Sequence, residues 1–106
     1  MEKKIGNIIV SVLEGLAHSG RLKIALLLAE NKKLSFSQIV EKSGMEKDEA
    51  WISLKFLEEK KVIVGERVIK EVPSRGRPHQ TFFTLTREAR IIVKFLKLAT
   101  EEFVFS

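Results

Sequence analysis

The 106-residue sequence predicts a single, mainly helical α+β domain that carries a β-hairpin. Five segments have the apolar spacing or the start signals of a helix. Two runs rich in β-branched and aromatic residues lie between the fourth and fifth of these segments, and both prolines of the chain lie near the gap between the runs. We therefore expect the order helix, helix, helix, helix, hairpin, helix, without an internal repeat or a linker.

The first two helices are predicted from their apolar residues. A continuous apolar stripe runs along about residues 2–17, and its members are Ile5, Ile8, Ile9, Val12, Leu13 and Leu16. The tripeptide "HSG" then ends this helix, with Gly20 suited to a left-handed cap. The next segment, "RLKIALLLAENKK", is short and heavily apolar, which indicates a helix at the centre of the core.

A short third helix has the sharpest start signal in the chain. Within "LSFSQI", Ser35 is the expected N-cap and Gln38 stands three residues later as its capping-box partner. The helix lasts about two turns and stops at Ser43 and Gly44. The fourth helix, "MEKDEAWISLKFLEEKK", follows with acidic residues in its first turn and lysines in its last, an arrangement that suits the helix dipole. Its predicted core stripe consists of Ala50, Leu54 and Leu57.

The remainder of the chain predicts a hairpin and a closing helix. The runs "VIVGERVIKEV" and "TFFTLT" have the composition of strands, and the proline-containing loop between them is the expected hairpin tip. The last helix, "REARIIVKFLKLATEEF", is opened by Thr86.

Positive charge is concentrated around the hairpin tip and the start of the last helix. The chain has a net charge of +5, and residues 70–97 hold seven basic side chains against two acidic ones. Such a concentration favours a polyanionic partner, with nucleic acid first and an anionic membrane second. From the charge alone, a role in solubility is an equally good explanation.

Several classes of function have no residues to support them. The chain has no cysteine, which excludes disulfides and thiolate chemistry, and its two histidines do not make a metal site. We find no phosphate-binding glycine loop and no nucleophile–base signature, so we predict neither an enzyme nor a cofactor. No apolar stretch approaches the ~20 residues that span a bilayer, and we find no signal peptide. We expect a cytoplasmic protein.

Residues 20–90 together resemble a family of DNA-binding proteins. A capped short helix, a tight glycine turn, a longer helix ending in "FLEEKKVI", a hairpin and "LT" resemble the winged helix-turn-helix regulators of the ArsR and MarR type. The step from Leu57 to Ile63 approximates the family's Leu-x-x-x-Gly-Leu/Val pattern, with Lys61 where glycine is usual. The run "GRPHQTFFTLT" is similar to the Gly-Arg-Pro wing of PadR-like regulators.

The resemblance implies that the hairpin is a wing that binds the DNA backbone or minor groove. The implied wing residues are Arg75, Gly76, Arg77, His79 and Gln80. Arginine at a turn can reach the negative minor groove, and glycine permits close approach. The alternative is a solvated turn with two incidental arginines. The start of the third helix, with Ser35, Ser37 and Gln38, is implied to meet the phosphate backbone, although helix capping alone also explains Ser35.

The fourth helix is the implied recognition helix. Its expected exposed face consists of Lys47, Asp48, Trp51, Ile52 and Lys55. Lysine can meet phosphate or guanine, Trp51 or Ile52 can meet thymine methyl groups, and Asp48 can accept from the N4 amino group of cytosine. The acidic first turn would also be repelled by phosphates, and a lone tryptophan is usually partly buried. Direct base readout therefore stays open.

The terminal helices carry more apolar surface than a small core can cover. We therefore expect them to pair in a two-fold homodimer, with two recognition helices about 34 Å apart. The predicted interface is Ile5, Ile9, Val12, Ile92, Phe95, Leu96, Ala99 and Phe103. In this division residues 1–19 and 87–106 dimerise, and residues 20–86 form the winged-helix core.

The leading hypothesis is a homodimeric, sequence-specific regulator of transcription that binds double-stranded DNA and is of a prokaryotic type. The alternative is a winged-helix module that binds proteins of the transcription machinery without reading DNA. A membrane-surface protein is the weakest of the three, because the last helix mixes basic and apolar residues all round.

Overall fold

The computed structural model describes the backbone of residues 2–69 and 79–105, and the side chains of residues 6–67 and 81–99. Within these residues the helices are α1 (Glu2–Leu16), α2 (Ser19–Glu30), α3 (Phe36–Ser43), α4 (Lys47–Glu59) and α5 (Arg87–Phe105), and the strands are β1 (Leu34–Ser35), β2 (Ile63–Ile69) and β3 (His79–Leu85). The predicted order of helices and hairpin is confirmed. In the described part of the chain no helix has the length and apolar character needed to cross a bilayer.

The strands form one antiparallel sheet in the order β1-β3-β2. Strands β2 and β3 pair along their whole lengths, from Ile63 opposite Leu85 to Ile69 opposite His79. Strand β1, which the sequence did not predict, places Leu34 opposite Phe83. Strand β3 is therefore the central strand, and the short β1 connects the end of α2 to the wing.

The core lies between the helices and one face of this sheet. Ala50, Leu54 and Leu57 of α4 are all fully buried, as the sequence predicted. The central position of α2 is also confirmed, because its buried residues Ile24 and Leu28 belong to the same apolar cluster as Leu54 and Leu57. This packing fixes which side of α4 remains exposed to solvent.

Helix α3 begins and ends as predicted. The backbone N–H of Gln38 donates to Ser35 Oγ at 3.2 Å, and the Ser35 N–H donates back to Gln38 Oε1 at 2.9 Å, which completes the capping box. Gly44 ends the helix in the left-handed region, with φ of 72°, and its N–H donates to the carbonyl of Val40. The turn into α4 is thus determined by local chemistry.

The prediction that Gly20 forms a left-handed cap was wrong. Helix α1 ends at Leu16 and α2 begins at Ser19, so Gly20 lies inside the first turn of α2. His18 is the N-cap of α2, and its Nδ1 accepts from the Gly20 N–H at 3.1 Å. The junction between α1 and α2 therefore depends on the His18 side chain as a hydrogen-bond acceptor, and not on a left-handed glycine.

The C-terminal half of α1 is attached to the end of α4 and the start of α2. The Ser11 hydroxyl donates to the carbonyl of Lys60 at 2.8 Å, and the Lys60 ammonium forms an ion pair with Glu14 at 2.9 Å. Arg21 Nε donates to the carbonyl of Gly15 at 2.7 Å. Helix α1 is therefore a fixed part of the protomer.

Helix α4 ends in a Schellman motif with lysine at the left-handed position. The Val62 N–H donates to the carbonyl of Leu57 at 2.9 Å, and the Lys61 N–H donates to the carbonyl of Glu58 at 3.1 Å. Lys61 has φ of 65°, where glycine is favoured because it has no Cβ. This is the position at which the ArsR and MarR type usually has glycine, so the geometry of that step is kept with a less suitable residue.

Replacing Lys61 with glycine is expected to stabilise the protein. The left-handed conformation costs an L-residue about 1–2 kcal/mol, and glycine avoids this cost. The greater freedom of glycine in the unfolded chain offsets roughly 0.5–1 kcal/mol of that stabilisation. We therefore expect the free energy of unfolding to rise by about 1 kcal/mol in urea titrations. Lys61→Ala removes the same side chain but keeps the Cβ, so it should give no gain. Equal stabilities for the two variants would contradict the assigned cause.

Candidate nucleic-acid interface

A tight turn sets the direction of α4 relative to α3. Ser43 is buried at the end of α3, and its hydroxyl accepts from the Met45 N–H at 3.2 Å. Glu46 is extended backbone at the N-cap position of α4 and makes no side-chain capping bond. Helices α3 and α4 therefore form a helix-turn-helix unit whose second helix begins at an exposed corner.

The outward side of α4 is a continuous row of exposed side chains. Successive residues turn by about 100° around a helix, so Asp48, Ile52 and Lys55 lie opposite the buried side of α4. The five side chains that the sequence assigned to the exposed face of α4, namely Lys47, Asp48, Trp51, Ile52 and Lys55, are all exposed. Their exposure is confirmed, and their contact with DNA stays a prediction.

Trp51 packs against two residues of its own protomer. Its ring meets the ring of Phe36 edge-on, with centroids 5.7 Å apart, and the Lys55 ammonium lies 4.5 Å from its centroid. The side chain is 46% exposed, so it is neither buried in the core nor fully projecting. Lys55 also lies 3.6 Å from the carboxylate of Glu58. Part of the positive charge on this helix is therefore balanced locally.

The first turn of α4 is acidic and exposed. Glu46, Asp48 and Glu49 are exposed to solvent and form no ion pair with any residue that the structure describes. Carboxylates at this position are stabilised by the positive end of the helix dipole, yet they repel phosphate. This end of α4 is therefore poorly suited to contact the backbone of a nucleic acid.

The start of α3 offers fewer anion contacts than the sequence implied. Ser35 is 3% exposed and its hydroxyl accepts the capping bond, so its side chain is not available to a phosphate. Gln38 is exposed, but its side-chain oxygen accepts from the Ser35 N–H. Ser37 is exposed and makes no side-chain hydrogen bond within the described chain. Of the three, Ser37 has the freest side chain.

The two strands that carry the predicted wing are present. His79 and Gln80 are in β3, opposite Ile69 and Val68 of β2, while their side chains are outside the described residues. Arg75, Gly76 and Arg77 also lie outside the described residues. Helix α4 contacts β2, which places the hairpin beside the predicted recognition helix. The wing contacts stay predictions.

Both terminal helices expose several large apolar side chains. On α1 the exposed ones are Ile8, Ile9, Val10 and Leu13, and on α5 they are Ile91, Phe95 and Leu98. Phe95 is 71% exposed. Exposed apolar residues at i, i+4 and i+7 on one helix face are typical of a helix that packs against another surface.

The residues predicted for a dimer interface divide into three groups. Ile9, Phe95 and Ala99 are exposed as that prediction requires, whereas Ile92 and Leu96 are half-buried against the core. Val12 is fully buried within the protomer, so it belongs to the core and is not available at the surface. The side chains of Ile5 and Phe103 are outside the described residues.

Sequence reasoning missed Ile91 and Leu98 as members of the exposed row. Helix α5 has two apolar stripes, of which one contains the buried Ala89 and Val93 and the other contains Ile91, Phe95 and Leu98. The helical spacing of the second stripe was visible in the sequence. Only the packing of α5 shows which of the two stripes faces the core.

Comparison with known proteins gives relatives in structure but not in sequence. No protein-family model matches the chain, and no curated protein sequence matches it. Solved structures of similar fold do match.

One match is a homodimeric winged helix-turn-helix DNA-binding domain from Mycobacterium bovis, described as a possible ArsR-family transcriptional regulator. Its TM-score is 0.74 at 16% identity, and the match covers 97% of this chain and 87% of that one. The transcriptional repressor BigR from Xylella fastidiosa has a TM-score of 0.72 at 24% identity, with 92% and 91% covered. The transcriptional regulator HlyU from Vibrio vulnificus has a TM-score of 0.69 at 20% identity, with 92% of each chain covered. The predicted winged helix-turn-helix fold is confirmed.

Proposed function

We propose that the protein is a homodimeric transcriptional regulator that binds double-stranded DNA sequence-specifically in the cytoplasm. Helix α4 enters the major groove, and the wing between β2 and β3 contacts the backbone or the minor groove. The main support is the exposed outward row of α4 next to a hairpin whose connecting segment contains Arg-Gly-Arg. The proposal requires neither a metal nor a cofactor.

The division of labour between the two elements follows from their charges. The acidic first turn of α4 contributes little attraction to a polyanion, so the affinity comes mainly from Arg75 and Arg77 in the wing. Ser37 and the lysines of α4 add contacts to the DNA backbone. The outward row of α4 contributes selectivity between base pairs. The structural neighbours of this chain are transcriptional regulators, which supports the same function.

We also propose that residues 1–19 and 87–106 form the dimer interface, around the winged-helix core of residues 20–86. The exposed apolar side chains of α1 and α5 would be covered by the same side chains of a second copy. Such a pairing places two copies of α4 on one face, about 34 Å apart, which is one turn of DNA. The Mycobacterium bovis domain with this fold is homodimeric.

Replacing Phe95 with glutamate is expected to convert the dimer into a monomer. Phe95 is the most exposed large apolar side chain among the described residues, and a buried, unpaired carboxylate at an interface is strongly unfavourable. Sedimentation at micromolar concentration should give the mass of two chains for the parent and one for the variant.

Val64→Glu is the matched control for this substitution. Val64 is 51% exposed on β2 and is not part of the proposed interface, so the same change there should leave the mass unchanged. A parent that sediments as a monomer would contradict the proposed dimer.

A second function, binding to a protein of the transcription machinery, is favoured by one observation. The acidic first turn of α4, together with exposed Ile52 and half-exposed Trp51, is a better match to a protein surface than to phosphate. The two functions differ in whether duplex DNA binds at low salt.

The tryptophan provides the test, because Trp51 is the only one in the chain. Titration with a random-sequence duplex at low salt should change its emission saturably, and a gel shift should follow the same curve. Raising the salt should reverse both. The absence of any binding at low salt would contradict DNA binding and leave the protein-binding module. Selection of bound fragments from random duplexes then identifies the preferred sequence.

A further inference from the structure

We infer that Ile52 is the residue of α4 that recognises thymine, through its 5-methyl group in the major groove. This inference rests on the proposed function, because it requires α4 to lie in that groove. It adds the chemical identity of the preferred base and the side chain that selects it. The DNA sequences that bind tightly are therefore expected to have a thymine at a fixed position facing the middle of α4.

The position of Ile52 on α4 is the first reason. Ile52 lies near the middle of the 13-residue helix and opposite its buried side, so it points away from the core. Ile52 is 68% exposed although it is a large apolar residue. The core therefore does not explain why an isoleucine stands at this position. A helix seated in the major groove brings this outward line closest to the base edges.

The chemistry of the groove is the second reason. Isoleucine has no hydrogen-bonding group, so it cannot bind phosphate or the polar atoms of guanine, adenine or cytosine. The 5-methyl group of thymine is the apolar group that base pairs present in the major groove. Asp48 and Glu49 lie one turn before Ile52 and repel phosphate, which directs this part of α4 toward the bases.

The structure also decides between Ile52 and Trp51. The Phe36 ring and the ammonium of Lys55 both contact the Trp51 ring, so Trp51 is already packed within the protomer. Ile52 is the more exposed of the two side chains, and most of its surface is open to solvent. Trp51 therefore supports the shape of α4, and Ile52 makes the contact.

The test removes single methyl groups from the DNA. A duplex selected from random sequences is remade with each thymine in turn replaced by deoxyuridine, which keeps the base pair and lacks the methyl group. We expect one position in each half-site at which this change weakens binding of the parent about fourfold, and about fifteenfold when both half-sites are changed. Trp51→Phe should keep this sensitivity. Ile52→Ala should bind the thymine and deoxyuridine duplexes equally.

The possible outcomes separate this inference from the proposed function. A selected duplex that binds specifically but is unaffected by every deoxyuridine substitution overturns the role of Ile52 and leaves DNA binding intact. Persistent deoxyuridine sensitivity in Ile52→Ala also overturns it, and so does a selected site without a fixed thymine. If no duplex is bound specifically, both proposals fail. Ile52→Val, which keeps part of the side chain, should show an intermediate sensitivity if Ile52→Ala folds poorly.

Discussion

Replacing Gly15 with alanine is expected to lower the free energy of unfolding by about 1–2 kcal/mol. An added Cβ would lie 2.6 Å from Val62 Cγ2 and 3.2 Å from Lys60 Cβ. Val62 is fully buried and cannot move aside without disturbing the core. Separating α1 from this site would also weaken the hydrogen bond from the Ser11 hydroxyl to the carbonyl of Lys60.

Two opposing effects determine the sign of this prediction. Alanine is preferred over glycine inside a helix by about 1 kcal/mol, which favours the substitution. Overpacking a close-packed core typically costs about 1–3 kcal/mol, and weakening of the hydrogen bond and ion pair at Lys60 adds to that cost. Because 2.6 Å is far inside normal van der Waals contact, we expect the clash to outweigh the propensity.

The same helix contains a matched control. Gly6 is also in α1, and an added Cβ there has no heavy atom within 4 Å. Gly6→Ala should therefore gain the helix propensity without a clash and stabilise the protein by up to about 1 kcal/mol. Denaturant titrations of both variants at one protein concentration measure the difference. A Gly15→Ala protein as stable as the parent would contradict the close packing of α1 on Val62.

The double substitution of Arg75 and Arg77 by alanine is expected to weaken binding to every DNA sequence, by roughly tenfold or more at low salt. The arginines are expected to supply phosphate or minor-groove contacts, which do not depend strongly on the bases. The relative preference for the selected sequence over random duplex should therefore change much less than the affinity.

The salt dependence of binding shows how many phosphates the arginines neutralise. Each phosphate contact contributes about 0.9 to the slope of log affinity against log salt. Four arginines in a dimer would therefore account for a slope of about 3.6, and the double variant should show a slope that is flatter by about that amount. Gel shifts at a series of salt concentrations give both the affinity and the slope.

Lys23 and Lys32 provide a charge-matched control. Both form no ion pair with the described residues and lie outside the helix-turn-helix unit and the hairpin. Their double substitution by alanine removes the same net charge, so only long-range attraction should fall. Unchanged affinity and slope for the arginine variant would show that the wing does not contact DNA.

The candidate interface could be predicted from the sequence where it depends on one helix. The core stripe of Ala50, Leu54 and Leu57 follows from helical spacing, and it determines at once that Ile52 points the other way. Which exposed side chains of α4 also pack against other parts of the protomer could not be predicted. The contact of Trp51 with Phe36 joins two helices, and helical spacing within one segment contains no information about it.

The sequence by itself determined the order of the five helices and the hairpin, the capping box of α3 and the glycine turn that leads to α4. These features depend on groups only a few residues apart, so the physical interactions that cause them can be read along the chain. The tertiary structure alone decided that Leu34 pairs with Phe83 and that Val12 is buried. Burial and strand pairing depend on residues distant in the chain, and the same apolar residue is core or surface according to which neighbours the fold brings against it.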